Sequence, residues 1–265
     1  MQNIINGKFV DASDKSVMNI VNPYTGKVID TVPNSTKKDV DKAVACAKKA
    51  QEKWAQVPVH EKVELLKKFL CLVSENKDDL AKTLCLETGK PITQAYAEIA
   101  NIKIGFEAFM ERAKHLYGNV VPSGTEAGQE NTLQITVREP LGVIAAIIPF
   151  NFPCDLFDQK VAPAILAGNT VIVKPPHQNP LTLIKLVMLL HEAGLPAGVV
   201  QILTGEGLKT GDPLAKHPDV HGITFTGSTK VGKLTYVNGA SHLAHVALEL
   251  GGNDAFIVLK DADLD

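Results

Sequence analysis

No stretch of this sequence can span a membrane as a helix: the longest apolar run, Leu141 to Phe150, falls far short of the ~20 residues required. The four cysteines (Cys46, Cys71, Cys85, Cys154) include no Cys-x-x-Cys pair and no Cys/His metal spacing, so all can be free thiols in a reducing compartment. Charge of one sign is also missing. Lys and Arg number 27 against 29 Asp and Glu, a formal net charge of -2, which argues against nucleic acid or an anionic membrane as the main partner. The opening, Met1 to Lys8, is too polar for a signal peptide, and there is no internal repeat or low-complexity segment. These absences leave a cytoplasmic globular protein. At 265 residues, 45% hydrophobic, the chain can bury a large core as one large domain or two unequal ones.

Up to about Asp30 short strand-like runs are broken by the turn signals Asn6-Gly7 and Asn22-Pro23-Tyr24-Thr25-Gly26. From Ser35 to Tyr117 the apolar spacing is helical. Ser35-Thr36 can cap a first helix carrying Val40, Ala43, Val44 and Ala47 on one face. Val63 to Val73 forms a second stripe. Leu80 and Leu84 with a stop at Gly89-Lys90-Pro91 form a third, and Glu98 to Leu116 a fourth. Turn-prone Ser123-Gly124 and Gly128 then precede Thr132 to Arg138, which alternates as a half-buried strand. It is either an arm that pairs with a neighbouring subunit or a surface hairpin.

From Leu141 strands and helices alternate. Val143–Ile148, Thr170–Val173, Val200–Leu203, Ile223–Thr226 and Val246–Leu248 suit strands buried on both faces. Asp155–Ala167, Leu181–Ala193, Thr210–Lys216 and Ser228–Val237 suit the helices between them. The expected fold is α/β: a Rossmann-like open parallel sheet with an N-terminal helical portion and a β-hairpin arm, its ligand crevice at the strand carboxyl ends. Residues 1–121 are expected to hold the N-terminal strands and helices, 122–140 the arm, 141–250 the nucleotide-binding part and 251–265 the start of a further domain.

The loops after the strands carry the chemistry. In Pro149-Phe150-Asn151-Phe152-Pro153 the Asn151 amide can project into the crevice as a donor, or bond its own backbone as turn asparagines do. Lys174 can meet a phosphate or ribose hydroxyls, or remain a solvated lysine. Gly205-Glu206-Gly207 lacks the full Gly-x-Gly-x-x-Gly and says little. In Thr226-Gly227-Ser228-Thr229-Lys230-Val231-Gly232, Gly227 lets the backbone approach a phosphate. Ser228 caps the next helix and offers its hydroxyl to the same anion. Glu249 sits between Leu248 and Leu250, where burial would raise its pKa and suit it to general-base work; a buried glutamate satisfied by backbone amides is the alternative.

In this order and at these separations, Pro149 to Pro153, Lys174-Pro175, Phe225-Thr226-Gly227-Ser228-Thr229 and Leu248-Glu249-Leu250-Gly251-Gly252 resemble the NAD(P)-dependent aldehyde dehydrogenase superfamily. Asn22 to Gly26, Glu87-Thr88-Gly89-Lys90-Pro91 and Ala167-Gly168-Asn169-Thr170 are similar to it too, so the resemblance runs through essentially the whole chain. It implies that a cysteine thiolate attacks an aldehyde, hydride passes to the nicotinamide, and water hydrolyses the thioester to a carboxylic acid. It also implies an oxyanion-hole role for Asn151, a base in Glu249 and a ribose-binding lysine in Lys174. Gly227 and Ser228 would meet the pyrophosphate. Ile147, Ile148, Pro149, Phe150, Asn151, Leu250 and Gly251 would line the nicotinamide side, with Pro175, Gly207, Gly211, Phe225, Val231 and Glu249 completing the cofactor surface. A homo-oligomer acting on a small aldehyde follows from the same resemblance, with Phe150, Cys154 and Phe157 expected along its tunnel.

Two departures stand out. His177 occupies a position where many NAD-preferring relatives have a glutamate; an imidazole there would not repel a 2′-phosphate, so NADP is tolerated or even preferred, with a plain surface histidine as the alternative. The family's nucleophilic cysteine lies a few tens of residues beyond the Glu249 motif, and no residue here matches it. Cys46, Cys71 and Cys85 fall on N-terminal helices. Cys154 follows Asn151 at a helix start that would lower its pKa, but its position is not the family's nucleophile. The expectation is a cofactor-binding portion that holds NAD(P) without turning over aldehydes.

Overall fold

The computed structural model describes residues 1–264. Strands β1 (Asn3–Ile5) and β2 (Lys8–Val10) form a hairpin whose two-residue turn places Asn6 and Gly7 at φ 52° and 71°, the conformation that favours Asn-Gly at such turns. Strands β3 (Val17–Val21) and β4 (Val28–Pro33) pair antiparallel around the Asn22 turn, where Asn22 Oδ1 accepts the Tyr24 N–H at 2.9 Å. Four helices follow: α1 (Lys37–Trp54), α2 (Val59–Glu75), α3 (Lys77–Thr88) and α4 (Ile92–Ala113). The Asp39 carboxylate accepts the Thr36 N–H at 2.8 Å to fix the start of α1.

Between α4 and the main α/β unit, the strand expected over Thr132 to Arg138 shortens to β6 (Gln134–Ile135), paired with β5 (Val120–Val121). Leu133, Ile135 and Val137 are all exposed. With no second layer beneath it, the alternating pattern has nothing to pack on and the ladder stays two residues long.

The alternating unit runs β7 (Val143–Ile147), α5 (Pro153–Leu166), β8 (Thr170–Lys174), α6 (Leu181–Glu192) and β9 (Val200–Ile202). A π-helical turn (Gly207–Gly211) then leads into α7 (Asp212–Ala215), β10 (Gly222–Thr226), α8 (Thr229–Ala240) and β11 (His245–Glu249). The sheet order is β11-β10-β7-β8-β9-β1-β2, with the first five strands parallel. The last two are antiparallel, so the N-terminal hairpin caps one edge, an addition not foreseen from its sequence. Asn3 anchors it there, its Oδ1 accepting the Thr204 N–H at 2.8 Å.

Successive residues of the buried strands point into opposite layers, as the pleat requires. Ile144, Ala146, Val171 and Val173 pack with α2, α4, α5 and α6, whose largest buried rings are Phe69, Phe106 and Phe157. Val143, Ala145 and Ile172 pack with α1 and Leu214. Because β7 leads outward to β8 and β9 while β10 returns to its other side, the order reverses between β7 and β10. That reversal opens a crevice above the strand carboxyl ends. No helix among the described residues is long and apolar enough to cross a membrane.

Candidate functional site

A cavity of about 400 Å³ lies at that reversal, above the ends of β7, β8 and β10. It gathers most of the residues singled out from sequence: Ile147, Ile148, Pro149, Phe150, Lys174, His177, Gly207, Gly211, Phe225, Gly227, Ser228 and Val231. Asn151, Pro175, Glu249, Leu250 and Gly251 are not in its wall. Pro175 is buried beside Lys174, and Leu250 packs against Gly232 of α8, where an added Cβ would meet Leu250 Cδ2 at 2.3 Å. A larger depression, about 850 Å³, lies between α2, the end of α4 and Arg138–Pro140. It contains none of the strand-end residues singled out from sequence.

Lys174 closes β8 and is 5% exposed. No hydrogen bond or ion pair to its ammonium is found among the described residues. Burial holds it down to about 8, because an ammonium without counter-charge is disfavoured away from water. Its stem is thus packed in the protein and not spread over the surface. Thr226 Oγ1, at the end of β10, is likewise buried without a partner. At the rim, burial and the Lys174 charge push the His177 imidazole below its usual value, with Glu206 pulling the other way.

Gly227 and Ser228 join β10 to α8. An added Cβ on Gly227 would lie 2.7 Å from Phe225 Cζ, so any side chain here would push the Phe225 ring aside. Ser228 is the N-cap of α8, its hydroxyl accepting the Val231 N–H at 3.4 Å; the capping role expected of it is present.

Three expectations change around the crevice. Glu249 is not buried: β11 is the outermost strand, its residues alternating exposed and half-buried, and the carboxylate faces solvent. The flanking leucines suggested burial, but an edge strand has no second neighbour to cover it. Cys154 is wholly buried rather than activated. Burial, then the adjacent Glu98 carboxylate, pushes its thiol well above the ordinary value, overriding the helix start. Cys154 and Phe157 also face the core and cannot line a tunnel, which leaves only Phe150 of that trio at the surface. Asn151 is exposed and no hydrogen bond to its side-chain amide is found among the described residues, so it is not an amide spent on its own turn.

Sequence reasoning missed one wall and one cation. Beside the expected Val231, the α8 residues Leu234, Thr235 and Asn238 line the crevice, with Leu208 and Asp212 opposite. Their i, i+3, i+4, i+7 spacing was a readable signal. Lys160 on α5 is buried, donates to Thr224 Oγ1 at 3.1 Å and is held down to about 8 by burial, partly offset by the Glu249 carboxylate. A lysine on a mostly apolar helix gave no cue.

Comparison with known proteins follows the same lines. The profile of the aldehyde dehydrogenase family matches residues 9–265. Glutarate-semialdehyde dehydrogenase of Pseudomonas putida is 39% identical over 264 residues, covering 100% of this chain and 54% of the relative. The succinate-semialdehyde dehydrogenase [NADP(+)] GabD of Escherichia coli is 36% identical, again over 100% of this chain and 54% of its own length. Betaine aldehyde dehydrogenase from Staphylococcus aureus, solved in complex with NAD+, superposes with a TM-score of 0.90 at 32% identity, covering 95% of this chain and 50% of that one. The chain thus spans about half the length of the curated relatives it matches. On the profile match, the identities and the shared fold, it belongs to the aldehyde dehydrogenase family.

Proposed function

We propose that this chain is the dinucleotide-binding portion of an aldehyde dehydrogenase, which oxidises a small aldehyde to a carboxylic acid with NAD or NADP. One observation carries the reading: the Lys174 side chain is buried along its length and its ammonium, with no partner among the described residues, stands in the wall of the crevice where the strand order reverses. The surroundings fit a dinucleotide. The orphaned Thr226 hydroxyl, the Gly227-Ser228 helix start and the apolar slot between Leu208, Phe225 and Leu234 supply polar and apolar contacts. Lys174 would hold ribose hydroxyls or a phosphate, Gly227 and Ser228 the pyrophosphate, and Phe150 the nicotinamide end. Bound there, the nicotinamide serves as hydride acceptor. His177 brings no negative charge against a 2′-phosphate, so NADP is accepted as well as NAD.

The exposed Asn151 amide would donate to the oxygen that gains charge when an aldehyde is attacked. Glu249, facing solvent and within the electrostatic reach of Lys160, would take a proton. Neither has a thiolate to work with in residues 1–265. Cys154 is buried with a raised pKa, and Cys46, Cys71 and Cys85 lie on α1, α2 and α3. By itself the chain therefore holds dinucleotide and turns over no aldehyde. The exposed apolar residues of the 122–140 segment suit it to pair with a second subunit, and the four free thiols suit a reducing cytoplasm.

Isothermal titration with NAD and NADP tests the first part. Micromolar to millimolar binding that Lys174→Met weakens supports the reading; no heat with either nucleotide refutes it. Absorbance of reduced nicotinamide with a panel of small aldehydes tests the second, and steady reduction lost in Cys154→Ala would overturn it.

A further inference from the structure

The loop that carries Asn151, residues 148–152, has no regular structure of its own. Its helix, α5, begins without a capping side chain, since Phe152 stands at the N-cap. Yet its polar backbone is tied down at three points by side chains from other elements. Asn179, 2% exposed, donates through Nδ2 to the Phe150 carbonyl at 2.9 Å. Lys90 donates through Nζ to the Asn151 carbonyl at 3.1 Å. Glu98, from α4, accepts the Cys154 N–H through Oε1 at 2.8 Å and so supplies the cap that Phe152 cannot.

Lys90 and Glu98 are themselves bonded, with side chains only 11% and 1% exposed, and the Lys90 ammonium lies 4.7 Å above the Phe152 ring centroid. A buried ion pair is a poor source of net stability, because desolvation of both charges offsets their attraction. This one has an output of another kind. It fixes the backbone on both sides of Asn151 while every anchor avoids the Asn151 amide, which stays free and exposed. An amide that must meet a developing oxyanion works only if held in place beforehand, since a misplacement of about 1 Å can cost roughly a hundredfold in rate.

We propose that Lys90 and Glu98 are positioning residues that hold the Asn151 backbone so that its side-chain amide is preset toward the reacting centre. The proposal rests on the reading of Asn151 given above. Glu98 orients the Lys90 ammonium and caps α5 in the same act, and Lys90 joins the two anchors through the Phe152 ring. Asn179 is the independent third point and fixes Phe150, which lines the crevice.

The test uses the 265-residue chain labelled with nitrogen-15, followed through the Asn151 side-chain NH2 resonances. Removing Lys90 alone leaves Glu98 buried and unpaired and can unfold the protein. The informative variant is therefore the double substitution Lys90→Met with Glu98→Gln, which removes both charges together. It is expected to broaden or split the Asn151 NH2 pair while β8 and β9 amides stay unshifted, and to weaken dinucleotide binding by about threefold to tenfold as loop ordering is deferred to binding. Lys90→Arg, which keeps charge and donors, is expected to restore a single sharp pair. An Asn151 pair unchanged in the double variant would overturn the proposal, as would Lys90→Arg behaving like the double variant. If the unsubstituted chain binds no dinucleotide, the cofactor reading fails on that ground, while the Asn151 resonances still decide whether the clamp exists.

Discussion

Asp158 on α5 faces Gly105 on α4 so closely that an added Cβ on Gly105 would come within 2.2 Å of Asp158 Oδ2. The carboxyl is 4% exposed in the seam where α4 packs along α5, and burial together with Asp155 pushes it up to about 7. A glycine inside a helix is normally a cost. Here it makes room for an acid between two helices.

Gly105→Ala is therefore expected to destabilise the fold: overpacking a buried seam costs about 1–3 kcal/mol, and the roughly 1 kcal/mol that higher helix propensity returns offsets only part of that. Urea unfolding reads this directly, and a midpoint that rises would contradict the geometry.

The same acid makes stability depend on pH. Its folded pKa of about 7 stands above the ordinary 3.8, so the folded state holds this proton more tightly than the unfolded chain does. The resulting stabilisation is complete below the unfolded value and is lost as pH rises through the folded one. The urea midpoint should fall between about pH 4 and pH 7 and level off above, and Asp158→Asn should flatten that slope. An unchanged slope in the variant would assign the dependence elsewhere.

Lys174 predicts the pH dependence of binding. With its ammonium held down to about 8, the charged form that attracts an anion is present at pH 7 and disappears as pH rises. Affinity for NADP should be level below about pH 7 and fall above pH 8, at most about tenfold per unit. NAD, without the extra phosphate, should show a shallower fall. Calorimetry at five pH values with Lys174→Met as the flat control checks both slopes.

At the other wall, Ser228→Ala removes the α8 cap and should cost about 1 kcal/mol of stability. Gly227→Ala should instead act mainly on binding, because its new Cβ displaces the Phe225 ring that lines the crevice. Thermal unfolding paired with nucleotide titration separates the two.

Cys154 should resist iodoacetamide at pH 8 in the native protein while exposed Cys71 is alkylated. Mass spectrometry of the peptides decides it, and rapid native labelling of Cys154 would mean the helix start outweighs burial after all.

The parallel strands were legible because residues buried on both faces leave short, unbroken apolar runs, as at Val143–Ile147 and Thr170–Lys174. The crevice was legible because the residues that end those strands gather where the strand order of the sheet reverses. Glu249 was misjudged because leucine neighbours look the same on a central strand as on an edge strand; only the sheet order shows that β11 lacks a second neighbour. Lys160 and the Lys90–Glu98 pair were invisible for a related reason. Their partners lie on other elements, Thr224 at 64 residues' separation and Asn151 at 61, and no local pattern encodes such a distance.

The pairing of Ile4 with Ile202 and the bond from Thr204 to Asn3 also set an order of events during synthesis. The first strand emerges early, but its place in the sheet does not exist until β9 has been made, nearly 200 residues later. The parallel strands β7 and β8 can associate before then, and closing so long a loop is slow. The amino terminus is therefore the last piece of that sheet edge to lock. A bulky amino-terminal fusion would delay the locking while leaving the crevice, at the far side of β8, to form on time.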